Sequence, residues 1–70
     1  MAETSFILQG EFIELNKLLK VCGLCESGGM AKQAIAQGCV KVDGQIELRK
    51  AFKVRQGMRV EYAGHTIVVG

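Results

Sequence analysis

A chain of 70 residues has room for one domain, read here as spanning residues 1–70, whose core supplies roughly 3–5 kcal/mol of net stability. That is too small for a sizeable enclosed active site, and no apolar run approaches the ~20 residues of a membrane-spanning helix. The formal net charge of +2 is unevenly placed: residues 1–30 hold two Lys against four Glu, whereas residues 31–59 hold seven Lys or Arg against Asp43 and Glu47. Such a bias points to a polyanionic partner.

The first residues, MAETSF, lack the basic start and apolar run of a secretory leader. The cysteines are odd in number, Cys22, Cys25 and Cys39, so a reduced, cytoplasmic protein without membrane association is expected. Ser5 to Gln9 reads as a short strand ended by Gly10. Phe12, Leu15, Leu19 and Cys22 then recur at helical spacing, widened by Ile13 and Leu18. Glu11 and Glu14 early, Lys17 and Lys20 later, and Gly23 beyond suit a helix over about 12–22.

Ser27 is a natural N-cap for a second helix through Gln37, closed by Gly38, with Met30, Ala31, Ala34 and Ile35 facing the core. After Gly38 the apolar period drops to two. Val40 and Val42 precede Asp43-Gly44, a strong hairpin signal. A two-residue turn would set Val40 opposite Glu47 and Val42 opposite Gln45. A three-residue loop or bulge would align the valines with Ile46 and Leu48, and the bulge is the expectation. Met58–Tyr62 and His65–Val69 form a last hairpin about Ala63-Gly64, pairing Val60 with Ile67 and Met58 with Val69. The sum is an α+β fold: two packed helices against a small, mostly antiparallel sheet.

The densest chemical signal is RKAFKVRQGMR, Arg49 to Arg59, with five basic residues and no acid. Phe52 and Val54 alternate with Lys53 and Arg55, so an extended chain buries one pair and presents the other. A row of cations on a sheet suits a phosphate backbone, although the same charges would also keep a small protein soluble. Lys32, on the exposed side of the second helix, and Lys41, on the following strand, are read as lying near the same part of the fold. The N-terminus of that helix, with Gly28 and Gly29, offers accessible N–H groups to an anion.

CGLC, with Cys39 and His65, has the ligand count of a zinc site. It lacks a second clustered pair, and Cys22 falls on the apolar face of a helix, so packed, reduced cysteine is the better reading and no metal is expected. A thioredoxin-type motif would open a helix, whereas this one closes one. One His, no nucleophile–base set and no phosphate-loop glycines argue against catalysis. No cofactor and no catalytic residue are expected.

Ser27 to Gly44, SGGMAKQAIAQGCVKVDG, resembles the signature of the ribosomal-protein-S-four-type RNA-binding domain. The matching positions are Ser27, Ala31, Lys32, Ile35, Gly38, Val40, Val42, Asp43 and Gly44. Leu15 and Leu19 before them, and Gly57 and Val60 after, extend the resemblance over about residues 12–62. Glu47, Arg49, Lys50 and Lys53 resemble the small free-standing subgroup, in which the domain is the whole protein. The resemblance implies RNA bound across the helix pair and adjoining strand, with Lys32 touching phosphate and Lys41 projecting from the strand.

Where many members carry Arg-Leu-Asp, this chain has Ile13-Glu14-Leu15, and where many have Arg after the capping Ser it has Gly28. Both departures move the expected contact surface toward Lys53 and Arg55. The expected RNA-binding set is Lys32, Lys41, Arg49, Lys50, Lys53, Arg55 and Arg59, engaging structured RNA of the rRNA or tRNA class through its backbone. With one Tyr and three Phe, extensive base stacking is not expected. The resemblance also implies a place in ribosome biogenesis or translation, alongside ribosomal or translation-associated proteins, and the chain is read as a monomer. The other reading is a protein-interaction adaptor whose basic face meets an acidic partner.

Overall fold

The computed structural model describes residues 2–70. Its elements run β1 (Ala2–Phe6), β2 (Ile13–Glu14), α1 (Leu15–Val21), α2 (Gly28–Ala36), β3 (Val40–Val42), β4 (Gln45–Ile46), β5 (Lys53–Val54), β6 (Arg59–Tyr62) and β7 (His65–Val69). The main sheet has the order β1-β7-β6-β3-β4 and is antiparallel except for the parallel β1–β7 pair, while β2 and β5 form a separate antiparallel ribbon. This is the α+β arrangement expected.

Leu15, Leu18 and Leu19 from α1, Ala31, Ala34 and Ile35 from α2, and Val40, Val42, Val60, Ile67 and Val69 from the sheet share one buried cluster with Val54 and Cys25. The small residues of α2 let it lie close to α1, and Met30 is not part of that stripe: it is 48% exposed. Among the described residues, no helix is long and apolar enough to cross a membrane.

α2 begins and ends where its local chemistry dictates. The Ser27 hydroxyl accepts a hydrogen bond from the Met30 N–H at 3.2 Å, satisfying one of the first-turn donors that a helix leaves unpaired. Gly38, at φ +76°, takes the left-handed step that turns the chain toward β3, and the Gly38 and Cys39 N–H groups donate to the carbonyls of Ile35 and Ala34. The β6–β7 hairpin also forms as expected, with Val60 opposite Ile67 and positive φ at both Ala63 and Gly64.

Three elements differ from expectation, each because a distant pairing overrides the local pattern. β1 lies at Ala2–Phe6 rather than Ser5–Gln9, since it runs beside β7 with Phe6 opposite Val69 and β7 ends there. α1 starts at Leu15 rather than Phe12, because Ile13 and Glu14 are drawn into the ribbon with Val54 and Lys53. The β3–β4 turn is the tight two-residue form and not a bulge. Asp43 (φ 51°) and Gly44 (φ 84°) both adopt positive φ, placing Val42 opposite Gln45, and Val40 accepts from the Glu47 N–H. The valines find their apolar partner in β6, where Val42 faces Val60, so Ile46 and Leu48 are released to the surface. Asp43 also ties the turn to β6: its Oδ1 accepts from the Arg59 N–H at 2.9 Å and its own N–H donates to the Arg59 carbonyl at 2.8 Å.

Candidate functional site

α1 has no side-chain cap, although its first-turn N–H groups still need acceptors. They find them in the basic segment. The Leu15 N–H donates to the Phe52 carbonyl at 2.9 Å and the Asn16 N–H to the Lys50 carbonyl at 3.1 Å. The Asn16 side chain, 8% exposed, adds a second bond to Lys50 O from Nδ2 at 2.7 Å. With the β2–β5 ladder, these bonds fix residues 50–54 against α1, and a turn closed by the Phe52 N–H on the Arg49 carbonyl carries the chain into them. The densest run of positive charge in the chain is therefore held by its backbone, leaving its charged side chains to solvent.

Between this segment and α2 lies an open groove of about 790 Å³. Its apolar lining comes from Ala36, Leu48, Ala51, Phe52 and Met58, and its charged lining from Lys32, Arg49, Lys50, Lys53 and Arg55. Five of the nine Lys and Arg residues thus meet at one concavity, with no acid among the lining residues.

Two rings order these cations. The Arg49 guanidinium lies 5.0 Å from the centre of the Phe52 ring. Lys53 Nζ lies 5.0 Å, and the Arg55 guanidinium 5.8 Å, from the centre of the Phe12 ring. Phe12 is therefore no core residue of a helix. It is 39% exposed and serves as the apolar seat for two charged groups, each such contact adding about 0.5–1 kcal/mol at an exposed site. Arg49 also donates from Nε to Glu47 at 2.9 Å and from Nη2 at 3.2 Å, and this guanidinium, beside a carboxylate, holds the Glu47 carboxyl below its ordinary range. The Arg55 N–H donates to the Met58 thioether at 3.3 Å.

The structure thus brings together Lys32, Arg49, Lys50, Lys53 and Arg55, and leaves two expected site residues elsewhere. Lys41 alternates with buried Val40 and Val42, so it projects from the sheet face turned away from the core, beside a hollow formed with Glu61, Tyr62 and His65. Arg59, opposite in parity to buried Val60, lies on the same outer face and reaches Glu3 at 3.6 Å. Lys32 and Lys41 therefore do not share a surface, contrary to expectation. Lys53 sits on a two-residue ribbon strand and Arg55 just beyond it, and the cations are not a row along the main sheet. Of the apolar pair expected to be buried, Val54 is fully so, whereas Phe52 is half-buried and lines the groove.

Cys25 is buried, Cys22 half-buried and Cys39 exposed. Burial pushes the Cys22 and Cys25 thiols up, which disfavours the nucleophilic thiolate. Residues 28–42 supply the recognisable geometry, while Ala36, Leu48 and Met58, which line the groove, and Phe12, which seats two of its cations, are features that sequence reasoning missed. No local signal marked them: Phe12, Leu48 and Met58 each continue the apolar spacing of neighbouring core residues and so read as core.

Residues 6–70 match the model of the S4 domain. The chain belongs to this family. Among its relatives, YbcJ of Escherichia coli (strain K12) is 53% identical over 57 residues, covering 81% of each chain. Tyrosine–tRNA ligase of Ralstonia nicotianae (strain ATCC BAA-1114 / GMI1000) is 42% identical over 57 residues, which are 81% of this chain and 14% of the ligase. The solution structure of E. coli YbcJ, which reveals an ALFAL motif involved in RNA-binding, superposes with a TM-score of 0.69 at 48% identity, covering 99% of this chain and 86% of YbcJ. The S4 fold is thus shared with a relative close to this chain in length.

Proposed function

We propose that this chain is a non-enzymatic RNA-binding protein that grips the backbone of structured RNA, of the rRNA or tRNA class, through the groove between α2 and residues 48–58. The observation that carries the reading is the convergence of Lys32, Arg49, Lys50, Lys53 and Arg55 on one concavity whose lining contains no acid. Lys and Arg side chains meeting phosphates release counterions, which supplies affinity without base-specific contacts. Membership of the S4 family and the likeness to YbcJ support RNA as the polyanion. The likeness to a segment of a tRNA ligase supports the tRNA or rRNA class, and with it a role in translation or ribosome biogenesis in the cytoplasm. None of the groove residues is an acid, His, Ser or Cys, so the site offers recognition and no proton-transfer or nucleophilic group. Lys41 and Arg59, on the outer sheet face, would add contacts only for an RNA large enough to wrap around the edge of the sheet. The protein binds as a monomer.

Ultraviolet crosslinking of the tagged chain in cells, followed by sequencing of the bound RNA, tests this reading. The expected result is enrichment of one structured RNA, with crosslinks near residues 49–55. A defined protein that stays bound after nuclease removes all RNA would favour an adaptor whose basic groove meets an acidic partner.

A further inference from the structure

The groove is chemically divided in a way that phosphate binding alone does not use. Cations suffice to hold a backbone, yet here they surround an apolar floor of Ala36, Leu48, Ala51, Phe52 and Met58. Leu48 is 60% exposed although it sits in a chain with a small core to fill. A base-paired helix presents phosphates and riboses to a protein surface and keeps its bases stacked, so it would leave this floor wet. Resting on the RNA-binding reading above, we infer that the groove takes one unstacked nucleobase of the bound RNA, with the flanking phosphates on Lys32, Lys50, Lys53 and Arg55.

The floor suits a planar ring. Ala36 and Ala51 contribute no bulk, Phe52 supplies an aromatic surface, and the Arg49 guanidinium already lies 5.0 Å over that ring at the rim. Aromatic and guanidinium planes are the surfaces on which unstacked bases rest, irrespective of base identity. The volume of about 790 Å³ lies within the range of small-ligand clefts, with room for a base and part of its ribose. Phe12 seats two of the lining cations, with Lys53 Nζ 5.0 Å and the Arg55 guanidinium 5.8 Å from its ring centre. Specificity follows from RNA shape: the preferred target has a bulge or loop that offers one free base beside a continuous backbone.

The test uses the intact chain and three RNA hairpins differing at one position, titrated by fluorescence anisotropy. One carries a single-nucleotide bulge, the second an abasic residue at that bulge with the same phosphates, and the third 2-aminopurine there. The bulged base should tighten binding roughly five- to a hundredfold over the abasic hairpin, the range for stacking one base on a protein surface. The 2-aminopurine fluorescence should change on binding. Phe52→Leu and Leu48→Ser should pull the ratio toward one, whereas Phe52→Tyr should retain it, with thermal melts confirming that each variant folds. Equal, salt-dependent affinity for bulged and abasic hairpins would overturn the base site and leave the RNA-binding reading standing. Absence of salt-dependent binding to all three would overturn both. Tighter binding of a labelled acidic amphipathic peptide than of any hairpin would assign the groove to a protein.

Discussion

Asn16 is the side chain on which the placement of the basic segment most depends, so Asn16→Ala is the sharpest perturbation of the fold–site coupling. Its Nδ2 donates to the Lys50 carbonyl at 2.7 Å from a site 8% exposed. The substitution removes that bond but leaves the carbonyl one partner, the Asn16 backbone N–H at 3.1 Å. No acceptor is orphaned, so the cost is that of one net hydrogen bond, about 1–1.5 kcal/mol. For a domain of this size each kcal/mol shifts Tm by roughly 4–8 °C, so a fall of about 4–12 °C is expected in melts followed by circular dichroism. Asn16→Asp should be worse above pH 5, because it sets a carboxylate oxygen against a carbonyl oxygen in a buried site, and should recover toward the parent chain as the pH falls and the carboxyl gains a proton to donate to that carbonyl. Both variants should also weaken RNA binding, since Lys50 and Lys53 ride on the segment released. A fall in Tm under about 2 °C, or Asp and Ala variants that melt alike at pH 7, would refute the anchoring role.

Two further outcomes follow from the same contacts. Thiol labelling of the native chain should proceed in three phases, with exposed Cys39 first, half-buried Cys22 next and buried Cys25 only on unfolding, and equal rates would contradict the packing of the α1–α2 loop. The hydrogen bonds from Arg49 lower the Glu47 carboxyl from its ordinary value of 4.5. A carboxyl depressed in the folded state stabilises above its unfolded pKa, and that stability is lost as pH falls through the folded value. Urea midpoints should therefore decline on acidification below about pH 4.5, and less steeply in Arg49→Ala, whereas identical acid slopes would show that the pair does not persist in solution.

Features set by adjacent residues were legible in the sequence. Ser27 and Gly38 bound α2 because a cap and a left-handed step are local requirements, and the β6–β7 register follows from alternation about a two-residue turn. Features set by distant residues were not. The helical spacing of Phe12 and Ile13 is real, but pairing of Ile13 with Val54 and the attraction of Lys53 and Arg55 to the Phe12 ring override it. Ile46 and Leu48 looked like hairpin partners of Val40 and Val42 because both sets are apolar and alternate. The core partner of β3 is β6, far along the chain, and nothing local announces it. The site divides in the same way. Charge density marked Arg49 to Arg55, and the helix marked Lys32, but alternation could say only that Lys41 and Arg59 face away from the core. It could not say that the groove lies on another side of the molecule. The apolar floor escaped notice because an apolar residue reads as core until the fold shows it uncovered.

The salt dependence of RNA affinity tests the central claim most directly. If about four cations of the groove engage phosphates, the slope of log affinity against log salt should be roughly −3 to −4. The double variant Lys53→Ala, Arg55→Ala, which removes two exposed side chains and no core contact, should flatten that slope by about 1–2 while the domain stays folded. A folded double variant with the slope of the parent chain would place the RNA on some other surface.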